Sequence, residues 1–209
     1  MKQIIYTKKG NIEFEPTREF FNNNKRINRE NAKENILILR NVLISTQVKW
    51  GLIFGTLLSA VRDNNFIEWD NDTDIFVLEE DKQDFMELIH IFQDKGFKVI
   101  RFNEKKKILS VERKNEWIDF YFFKKSFFGR RCDKYFIPKK YFTDLSEIKF
   151  FDQNFPTLNH VKDYLEFQYG KTWNIKIKDA YAEGNIFSSE EFVRKKLPLF
   201  YKIYLLFKK

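Results

Sequence analysis

Three aspartates recur at every second position just before an apolar run, in the segment WDNDTDIFVL at residues 69–78. Side chains alternate between the two faces of a β-strand, so Asp70, Asp72 and Asp74 would share one face if the strand reached back over them. Alternate positions lie about 6.5 to 7 Å apart, which lets two carboxylates bind one or two divalent ions. Without a cation, aligned carboxylates repel one another. The spacing therefore predicts a metal site that serves a phosphate-bearing substrate.

The same acidic segment also fits a surface turn. Asp and Asn are common turn residues, and Asn71 follows an earlier Asp63-Asn64-Asn65 cluster. An EF-hand calcium loop is excluded, because Gly is missing at its sixth position and Glu at its twelfth. The apolar continuation Ile75-Phe76-Val77-Leu78 favours the metal site, since it places the acids at the end of a buried strand. The carboxylates alone leave both interpretations open.

A Gly-Thr pair and an arginine precede the acidic segment. Gly55 would let the backbone approach a phosphate, and Thr56 would open a short helix whose free N–H groups and dipole favour an anion. The Thr56 hydroxyl would cap that helix or bond a phosphate oxygen. Arg62 would end the helix and pair with a diphosphate through two parallel hydrogen bonds. The alternative is a tight turn at Gly55 and a solvated charge at Arg62.

A further carboxylate lies in the strand-like run EWIDFYFF at residues 116–123. An ionised Asp119 inside this run is costly to bury unless it is paired or bound to a metal. We therefore predict Asp119 as the third catalytic carboxylate, beside Asp72 and Asp74, with the proton taken either by Asp119 or by the metal-bound surroundings. The alternative is that Asp119 pairs with a nearby Lys or Arg.

Two blocks that contain these residues resemble the LicD family. The segments GTLLSAVR at 55–62 and FIEWDNDTDI at 66–75 are similar to the family pattern GTLLGAVR followed by FIPWDDDIDI. Downstream, Phe155-Pro156, Tyr164-Leu165 and Tyr169-Gly170-x-x-Trp173 resemble its closing pattern P…YL…YG…W. This chain departs from the family pattern at several positions: Ser59 for Gly, Asp63-Asn64-Asn65 for a His-Lys-Gly-like turn, Glu68 for Pro, Asn71 for Asp and Thr73 for Ile.

The resemblance implies a fold and an activity. The family belongs to the nucleotidyltransferase-fold superfamily, so we expect an α+β (α/β) domain with a mixed sheet flanked by helices. Its members include bacterial phosphocholine transferases and fukutin-type ribitol-phosphate transferases. The resemblance therefore implies transfer of a phospho-alcohol from a CDP-alcohol donor to a hydroxyl of a cell-surface or lipid-linked glycan, with release of CMP. It does not identify the alcohol or the sugar.

The resemblance also implies a cofactor and site residues. Mg²⁺, or Mn²⁺, would be held by Asp70, Asp72, Asp74 and Asp119, with one ion on the donor diphosphate and a second on the acceptor hydroxyl. Seven residues are candidates for binding the donor or its phosphates: Gly55, Thr56, Arg62, Arg130, Arg131, Tyr169 and Trp173. For Tyr169 and Trp173, packing in the core is an equal alternative. The competing functions are transfer of an NMP group from an NTP and a non-catalytic basic binding module.

Composition and charge limit the expected number of domains, the partners and the cellular compartment. The chain has 209 residues, 25 of them Phe, which predicts one packed domain, and its net charge of +8 suits an anionic partner. Basic and aromatic residues interleave at 105–107 and 127–131, but without a recognised motif nucleic acid ranks third among partners. Cys132 is the single cysteine, which fits a reducing compartment. With neither a signal peptide nor a long apolar run, we expect a cytoplasmic protein that is either soluble or peripheral at the inner face of the cytoplasmic membrane.

Periodicity predicts the order of elements. The expected elements are a hairpin at 2–15, a helix at 28–47, strand 52–54, the Thr56 helix, the acidic strand, a helix at 81–93, strands 97–102, 108–113 and 117–123, hairpins and loops over the site at 126–156, and a helix at 161–169. The core would span 28–175. The tail at 188–209 is basic and aromatic, which predicts either a membrane-surface segment or a C-terminal helix that packs on the core.

Overall fold

The computed structural model describes residues 2–17 and 25–176. The described residues form eleven strands and five helices. The strands are β1 Gln3–Thr7, β2 Gly10–Phe14, β3 Trp50–Leu52, β4 Thr73–Leu78, β5 Lys98–Asn103, β6 Ile108–Arg113, β7 Glu116–Ser126, β8 Gly129–Cys132, β9 Tyr135–Pro138, β10 Ser146–Phe150 and β11 Gln153–Thr157. The helices are α1 Arg29–Leu43, α2 Phe54–Arg62, α3 Lys82–Glu87, α4 Ile89–Asp94 and α5 Val161–Tyr169. The tail predicted at 188–209 lies outside the described residues.

One mixed sheet organises the chain. Its order is β10-β11-β3-β4-β7-β6-β5, and β8 and β9 extend from β7 as an antiparallel ribbon. The pairs β11–β3 and β4–β7 are parallel, whereas the other pairs in the sheet are antiparallel. The strands β1 and β2 form a separate hairpin. The predicted mixed α+β fold is therefore confirmed.

Helices pack against both faces of β7, the longest strand. On one face, the rings of Phe85 in α3 and Phe92 in α4 contact Phe120. On the other face, the ring of Phe54 at the start of α2 contacts Tyr121 at a centroid distance of 5.2 Å. Because both faces are covered, β7 is apolar at most of its positions, which leaves its one aspartate in a costly environment.

Helix α1 shows how the amphipathic pattern places a helix on the sheet. Its N-cap Asn28 accepts a hydrogen bond from the backbone N–H of Asn31 through Oδ1. Its apolar face repeats with helical spacing at Ile36, Leu39 and Leu43, all fully buried. The helix ends at Leu43 rather than at residue 47, because the hydroxyl of Thr46 donates to the Leu43 carbonyl in a turn.

Several other predicted elements are confirmed with shifted bounds. The N-terminal hairpin, the strands β5 to β7 and the helix α5 all form, and α5 ends at Gly170 as predicted. The strand predicted at 52–54 ends at Leu52, because α2 already begins at Phe54. The single helix predicted at 81–93 is wrong: the chain forms α3 and α4, and at Leu88 the N–H bonds the Phe85 carbonyl three residues back.

Within the described residues, no helix is both long enough and apolar enough to cross a lipid bilayer.

Candidate active site

Four polar residues form a row across one face of the sheet. Asp74 on β4 pairs with Asp119 on β7, Asp119 pairs with Ser110 on β6, and Ser110 pairs with Arg101 on β5. Residues that pair across strands share a face, so the four side chains follow one line over otherwise apolar strands. The row brings two of the predicted catalytic carboxylates together and adds two residues that the sequence did not indicate.

Asp119 is held by Ser110 and Arg101. The Ser110 hydroxyl donates to Asp119 Oδ1 at 2.6 Å, and Arg101 Nη2 donates to Asp119 Oδ2 at 2.6 Å. Arg101 Nε also donates to Ser110 Oγ at 2.8 Å, which closes a three-residue ring of hydrogen bonds. Asp119 is 4% exposed, so its ionised form depends on these donors. The ion pair that the sequence left open for Asp119 is therefore present, and Arg101 is the partner.

A β-bulge sets the position of Arg101. Val99 pairs with Val111, whereas Arg101 pairs with Ser110, so Ile100 is an extra residue on β5. Without the bulge Ile100 would oppose Ser110, and Arg101 would lie on the other face. This single inserted residue brings a guanidinium to the acidic row.

The first turn of α2 packs against Asp74. The Gly55 backbone N–H donates to Asp74 Oδ2 at 3.2 Å, and the Asp74 backbone N–H donates to the Thr56 hydroxyl at 2.8 Å. Phe54, the first residue of this helix, has a φ of 48°, a strained value for an aromatic residue. Its ring is fixed by contact with Tyr121 and Tyr135. The strained start aims the Gly55 amide at a carboxylate.

Thr56 does not cap α2. It is the third residue of the helix, fully buried, and its hydroxyl accepts from the Asp74 backbone N–H. The N-cap is Ile53, which provides no side-chain cap. Thr56 therefore fixes the helix to β4, and its contact with a phosphate stays a prediction.

Asp70 and Asp72 precede β4 instead of lying on it. The strand begins at Thr73, so Asp70 belongs to the approach loop, where its carboxylate accepts from the Asn71 N–H at 3.1 Å. Its other oxygen faces Gly55: a Cβ added to Gly55 would lie 2.7 Å from Asp70 Oδ2. The strand alternation predicted for the three aspartates therefore does not extend to Asp70. The loop nevertheless places the Asp70 carboxylate beside Gly55, where Asp74 also lies.

Burial and mutual repulsion act on the aspartate cluster, which comprises Asp70, Asp72, Asp74 and Asp119. Burial raises the pKa of Asp72 well above its usual range, and the three other carboxylates raise it further. Burial likewise raises the pKa of Asp74, with repulsion from Asp70 and Asp119. Burial raises the pKa of Asp70 to about 6. For Asp119, burial raises the pKa and the Arg101 guanidinium opposes that rise. The cluster concentrates negative charge that one arginine only partly offsets.

Four tyrosines surround the aspartate cluster. Burial raises the pKa of each hydroxyl, and the charge of Asp74 raises it further in every case. The four are Tyr121, Tyr135, Tyr164 and Tyr169. They stay neutral, so they can donate hydrogen bonds beside the carboxylates without adding charge. Of the four, the sequence predicted only Tyr169 as a site residue, because aromatic residues inside strands, such as Tyr121 and Tyr135, or inside a helix, such as Tyr164, are usually core.

The three arginines predicted to bind phosphate do not meet the cluster. Arg62 lies at the C-terminal end of α2, about 10 Å along the helix from Gly55, and both its Nε and Nη2 bond the adjacent Asp63. Arg130 is buried, and Glu80 accepts from both of its Nη atoms at 2.8 and 2.6 Å. Arg131 pairs with Lys124, about 17 Å along β7 from Asp119.

The closing motif contributes two tyrosines, Tyr164 and Tyr169, to the surroundings of the aspartate cluster. Tyr169 is the last residue of α5, partly buried, and close enough to the cluster for the charges of Asp74 and Asp70 to raise its pKa. Trp173 is partly buried and packs against the hydrophobic core. The backbone N–H of Trp173 donates to the Gly170 carbonyl at 3.2 Å, which continues the turn after α5. The structure thus supports packing for Trp173 and leaves both roles for Tyr169.

The donor chemistry of the cluster suits a hard divalent ion, but the carboxylates are engaged with the protein. Among residues 2–17 and 25–176, no group of three or more His, Cys, Asp or Glu side chains is arranged to hold a metal ion. Asp119 is bonded to Arg101 and Ser110, and Asp74 to Gly55. Carboxylate oxygens are the ligands that Mg²⁺ prefers, and repulsion within the cluster favours a cation.

We expect Gly55→Ala to lower activity while leaving the fold intact. The new methyl group would lie 2.7 Å from Asp70 Oδ2 and 3.4 Å from Asp74 Oδ2. Both atoms end flexible side chains, so the carboxylates would move instead of the backbone. A displacement of about 1 Å in an active site can cost roughly 10²-fold in rate. Transfer kinetics and a thermal melt of the same sample would check this, and unchanged kinetics would show that Asp70 need not stay in place.

Comparisons with known proteins identify a family. The family model described as LicD/FKTN/FKRP, nucleotidyltransferase domain, matches residues 47–160. Among solved structures, the lincosamide antibiotic adenylyltransferase LnuA with bound lincomycin is similar at 13% sequence identity and a TM-score of 0.49. That similarity covers 73% of this chain and 95% of the other. The comparison with curated proteins gave no match.

Proposed function

The chain belongs to the LicD/FKTN/FKRP nucleotidyltransferase-domain family, and from this we propose that it is a transferase of phospho-alcohol groups. The donor would be a CDP-alcohol, the acceptor a hydroxyl of a cell-surface or lipid-linked glycan, and CMP the second product. The observation that carries the proposal is the aspartate cluster, in which Asp74 and Asp119 pair across parallel strands. Buried carboxylates that raise one another's pKa values are typical of sites that bind cations for phosphoryl transfer.

We assign the cofactor role to Mg²⁺ or Mn²⁺, held by Asp70, Asp72, Asp74 and Asp119. When bound, such an ion would neutralise phosphate charge and make the acceptor hydroxyl more acidic. The protein contributes the positions of the ligands: β4 and β7 fix Asp74 and Asp119, and α2 fixes Asp74 through Gly55 and Thr56. Because these supports are buried backbone and side-chain contacts, the site needs little reorganisation beyond the carboxylates themselves.

Asp72 is our candidate for accepting the proton of the acceptor hydroxyl. It is partly exposed, precedes β4, and has a raised pKa. Asp119, the proton acceptor predicted from the sequence, is bonded to both Arg101 and Ser110. A carboxylate that solvent reaches is the easier for an acceptor hydroxyl to approach, whereas Asp119 is already held by two donors. We therefore propose that Asp72 accepts the proton and that Asp119 positions Arg101.

Arg101 is our candidate for binding the donor phosphates. Its side chain is 30% exposed and lies at the aspartate cluster, where its charge acts on both Asp72 and Asp119. A guanidinium pairs with phosphate oxygens through parallel hydrogen bonds, a role for which the predicted Arg62, Arg130 and Arg131 are poorly placed. Ser110 and Asp119 would hold Arg101 in position until the donor binds.

The proposed function is tested by titration and by product analysis. Purified protein would be titrated calorimetrically with CDP-choline, CDP-glycerol, CDP-ribitol and CTP, each with and without Mg²⁺. Metal-dependent preference for one CDP-alcohol, with CMP as a product in the presence of a glycan acceptor, is the expected result. Preference for CTP and release of pyrophosphate would instead identify an NMP transferase. Absence of binding and of product for every donor would contradict the transferase proposal.

We expect Arg101→Gln to weaken binding of the CDP-alcohol about 10- to 100-fold, because a charge-assisted hydrogen bond to phosphate contributes about 1.5–3 kcal/mol. Arg101→Lys should recover only part of the loss, since it lacks the planar fork. The matched control is Arg113→Gln, on β6, where the guanidinium bonds Glu34 and Asn35 away from the cluster. Calorimetric affinities of the three variants would decide, and equal losses for Arg101→Gln and Arg113→Gln would remove the phosphate role.

A further inference from the structure

The end of β7 continues through β8 and β9 as a strongly basic ribbon, residues 124–140. Seven of its 17 residues are Lys or Arg, and one, Asp133, is acidic. The whole chain has a net charge of +8, so much of its excess positive charge lies in this segment. Arg130 is neutralised by Glu80 and Lys140 pairs with Asp163. The other basic residues of the ribbon are exposed.

Two of these charges oppose each other directly. Lys124 on β7 and Arg131 on β8 are a cross-strand pair, and both are exposed. In the part of the chain that the structure describes, neither forms a salt bridge with a carboxylate. Like charges directly opposite each other weaken a strand pair, so an anionic partner that covers both would relieve the repulsion.

An exposed aromatic residue stands at the turn beside this pair. Phe127 is 87% exposed, and its ring meets that of Phe128 edge-on at 4.7 Å. Lys139, also exposed, is next to the turn because its backbone N–H donates to the Phe128 carbonyl at 3.0 Å. The basic tip, defined by Lys124, Phe127, Arg131 and Lys139, thus presents one apolar ring among three cations.

We propose that the basic tip docks on an anionic lipid bilayer, with Phe127 inserted among the headgroups and the three cations on the lipid phosphates. Amphipathic aromatic tips surrounded by Lys and Arg bind membrane interfaces through buried apolar area and attraction to anionic lipid. Single-stranded nucleic acid fits less well, because it needs successive exposed rings as stacking platforms. In the ribbon Phe128 and Tyr135 are partly buried and Phe136 is buried, which leaves Phe127 as the exposed ring.

A fluorescent label at the tip tests insertion directly. Phe127→Cys would carry a polarity-sensitive dye, while Cys132 would stay unlabelled because it is 1% exposed and burial raises the pKa of its thiol to about 12. Vesicles of phosphatidylcholine with phosphatidylglycerol should shift the dye emission to the blue, and phosphatidylcholine alone should not. The same dye on Tyr6→Cys, at a residue 76% exposed near the β1–β2 turn, should not respond. An unshifted tip label, or equal shifts at both positions, would overturn the proposal.

Charge and apolar variants test the same surface by co-sedimentation with the anionic vesicles. Lys124→Gln with Arg131→Gln, and separately Phe127→Ser, should each lower the partition coefficient at least about fivefold. The matched controls alter another lysine-bearing hairpin turn, that between β1 and β2: Lys8→Gln with Lys9→Gln, and Tyr6→Ser. Equal sedimentation of tip and control variants would overturn the proposal. So would a preference of the wild-type protein for a single-stranded oligonucleotide over vesicles. The test uses neither donor nor acceptor, so it stands independently of the proposed function.

Discussion

Replacing either of two cluster carboxylates should abolish transfer: we expect Asp72→Asn and Asp74→Asn each to lower the rate at least about 10³-fold. Asparagine keeps the shape of the side chain but removes the charge that a divalent ion and the acceptor proton require. Initial rates with the donor identified by calorimetry would check this. Asp94→Asn, at the exposed end of α4, is the matched control and should keep wild-type activity. Near-full activity of either cluster variant would remove the metal role from that residue.

The same two variants should not unfold the protein, and without metal they should stabilise it. Each removes a charge that is penalised by burial and by neighbouring carboxylates. In Asp74→Asn, the amide oxygen can still accept from the Gly55 N–H. Urea unfolding in the presence of a chelator would therefore show a higher free energy of unfolding than for wild type. A lower value would mean that the carboxylates support the fold, and the activity loss would then need another explanation.

The second large effect concerns pH: metal-free protein should lose stability as the pH rises from about 5 to 7. The pKa values of Asp72 and Asp74 are raised in the folded state, and that of Asp70 to about 6. Over this range the folded protein binds more protons than the unfolded chain, whose aspartates titrate near about 3.9, so the free energy of unfolding falls as pH rises. We expect a decrease on the order of 2 kcal/mol, or about 5 °C in Tm.

Other carboxylates act in the opposite direction at lower pH. Arg130 lowers the pKa of Glu80 to about 2, so that ion pair is lost only as the pH falls below the unfolded value of about 4.3. Stability of the metal-free protein should therefore be greatest near pH 5. Thermal melts across pH, with and without Mg²⁺, would show this maximum. Saturating Mg²⁺ should reduce the loss of stability toward pH 7, and so should the double substitution Asp72→Asn with Asp74→Asn. If the double variant still loses stability over this range, groups other than these two aspartates cause the loss.

The sequence predicted the carboxylates of the site better than its cations. Asp119 stands out because a charge interrupts a long apolar run, and Asp72 and Asp74 because they flank the start of one. Each of these signals lies within a few consecutive residues of the sequence. The LicD resemblance reinforced them and is confirmed by the family model over residues 47–160.

Arg101 and Ser110 depend on register, which the sequence carries only weakly. Both are polar residues in short apolar strands, and this is the signal that could have indicated them. Aligning β5 with β6 without a bulge, however, puts Ile100 opposite Ser110 and turns Arg101 away. The side-chain row across the sheet is visible only once the extra residue is known.

Two of the three arginines predicted to bind phosphate are bound to carboxylates outside the aspartate cluster, and Arg131 has no salt-bridge partner among the described residues. Arg62 binds the next residue in the chain, Asp63, and Arg130 binds Glu80, which is 50 positions away in sequence. A phosphate-binding role was inferred from charge and position alone, and neither reports which carboxylate a folded chain will bring within reach. The pairing of β8 with β7 places Arg130 within reach of Glu80, and the sequence does not show this pairing.

The parallel pairing of β4 with β7 also bears on how the protein folds. Asp74 and Asp119 are 45 residues apart in sequence and become neighbours only when these strands pair, after the intervening helices and the β5–β6 hairpin have been accommodated. Parallel contacts of this separation carry a large loop-closure cost and form late. We therefore expect the like charges to meet after the local hairpins have formed, so that they do not oppose the early collapse of the chain. A cation that recognises the paired strands would act after the folding barrier, and would slow unfolding more than it speeds folding.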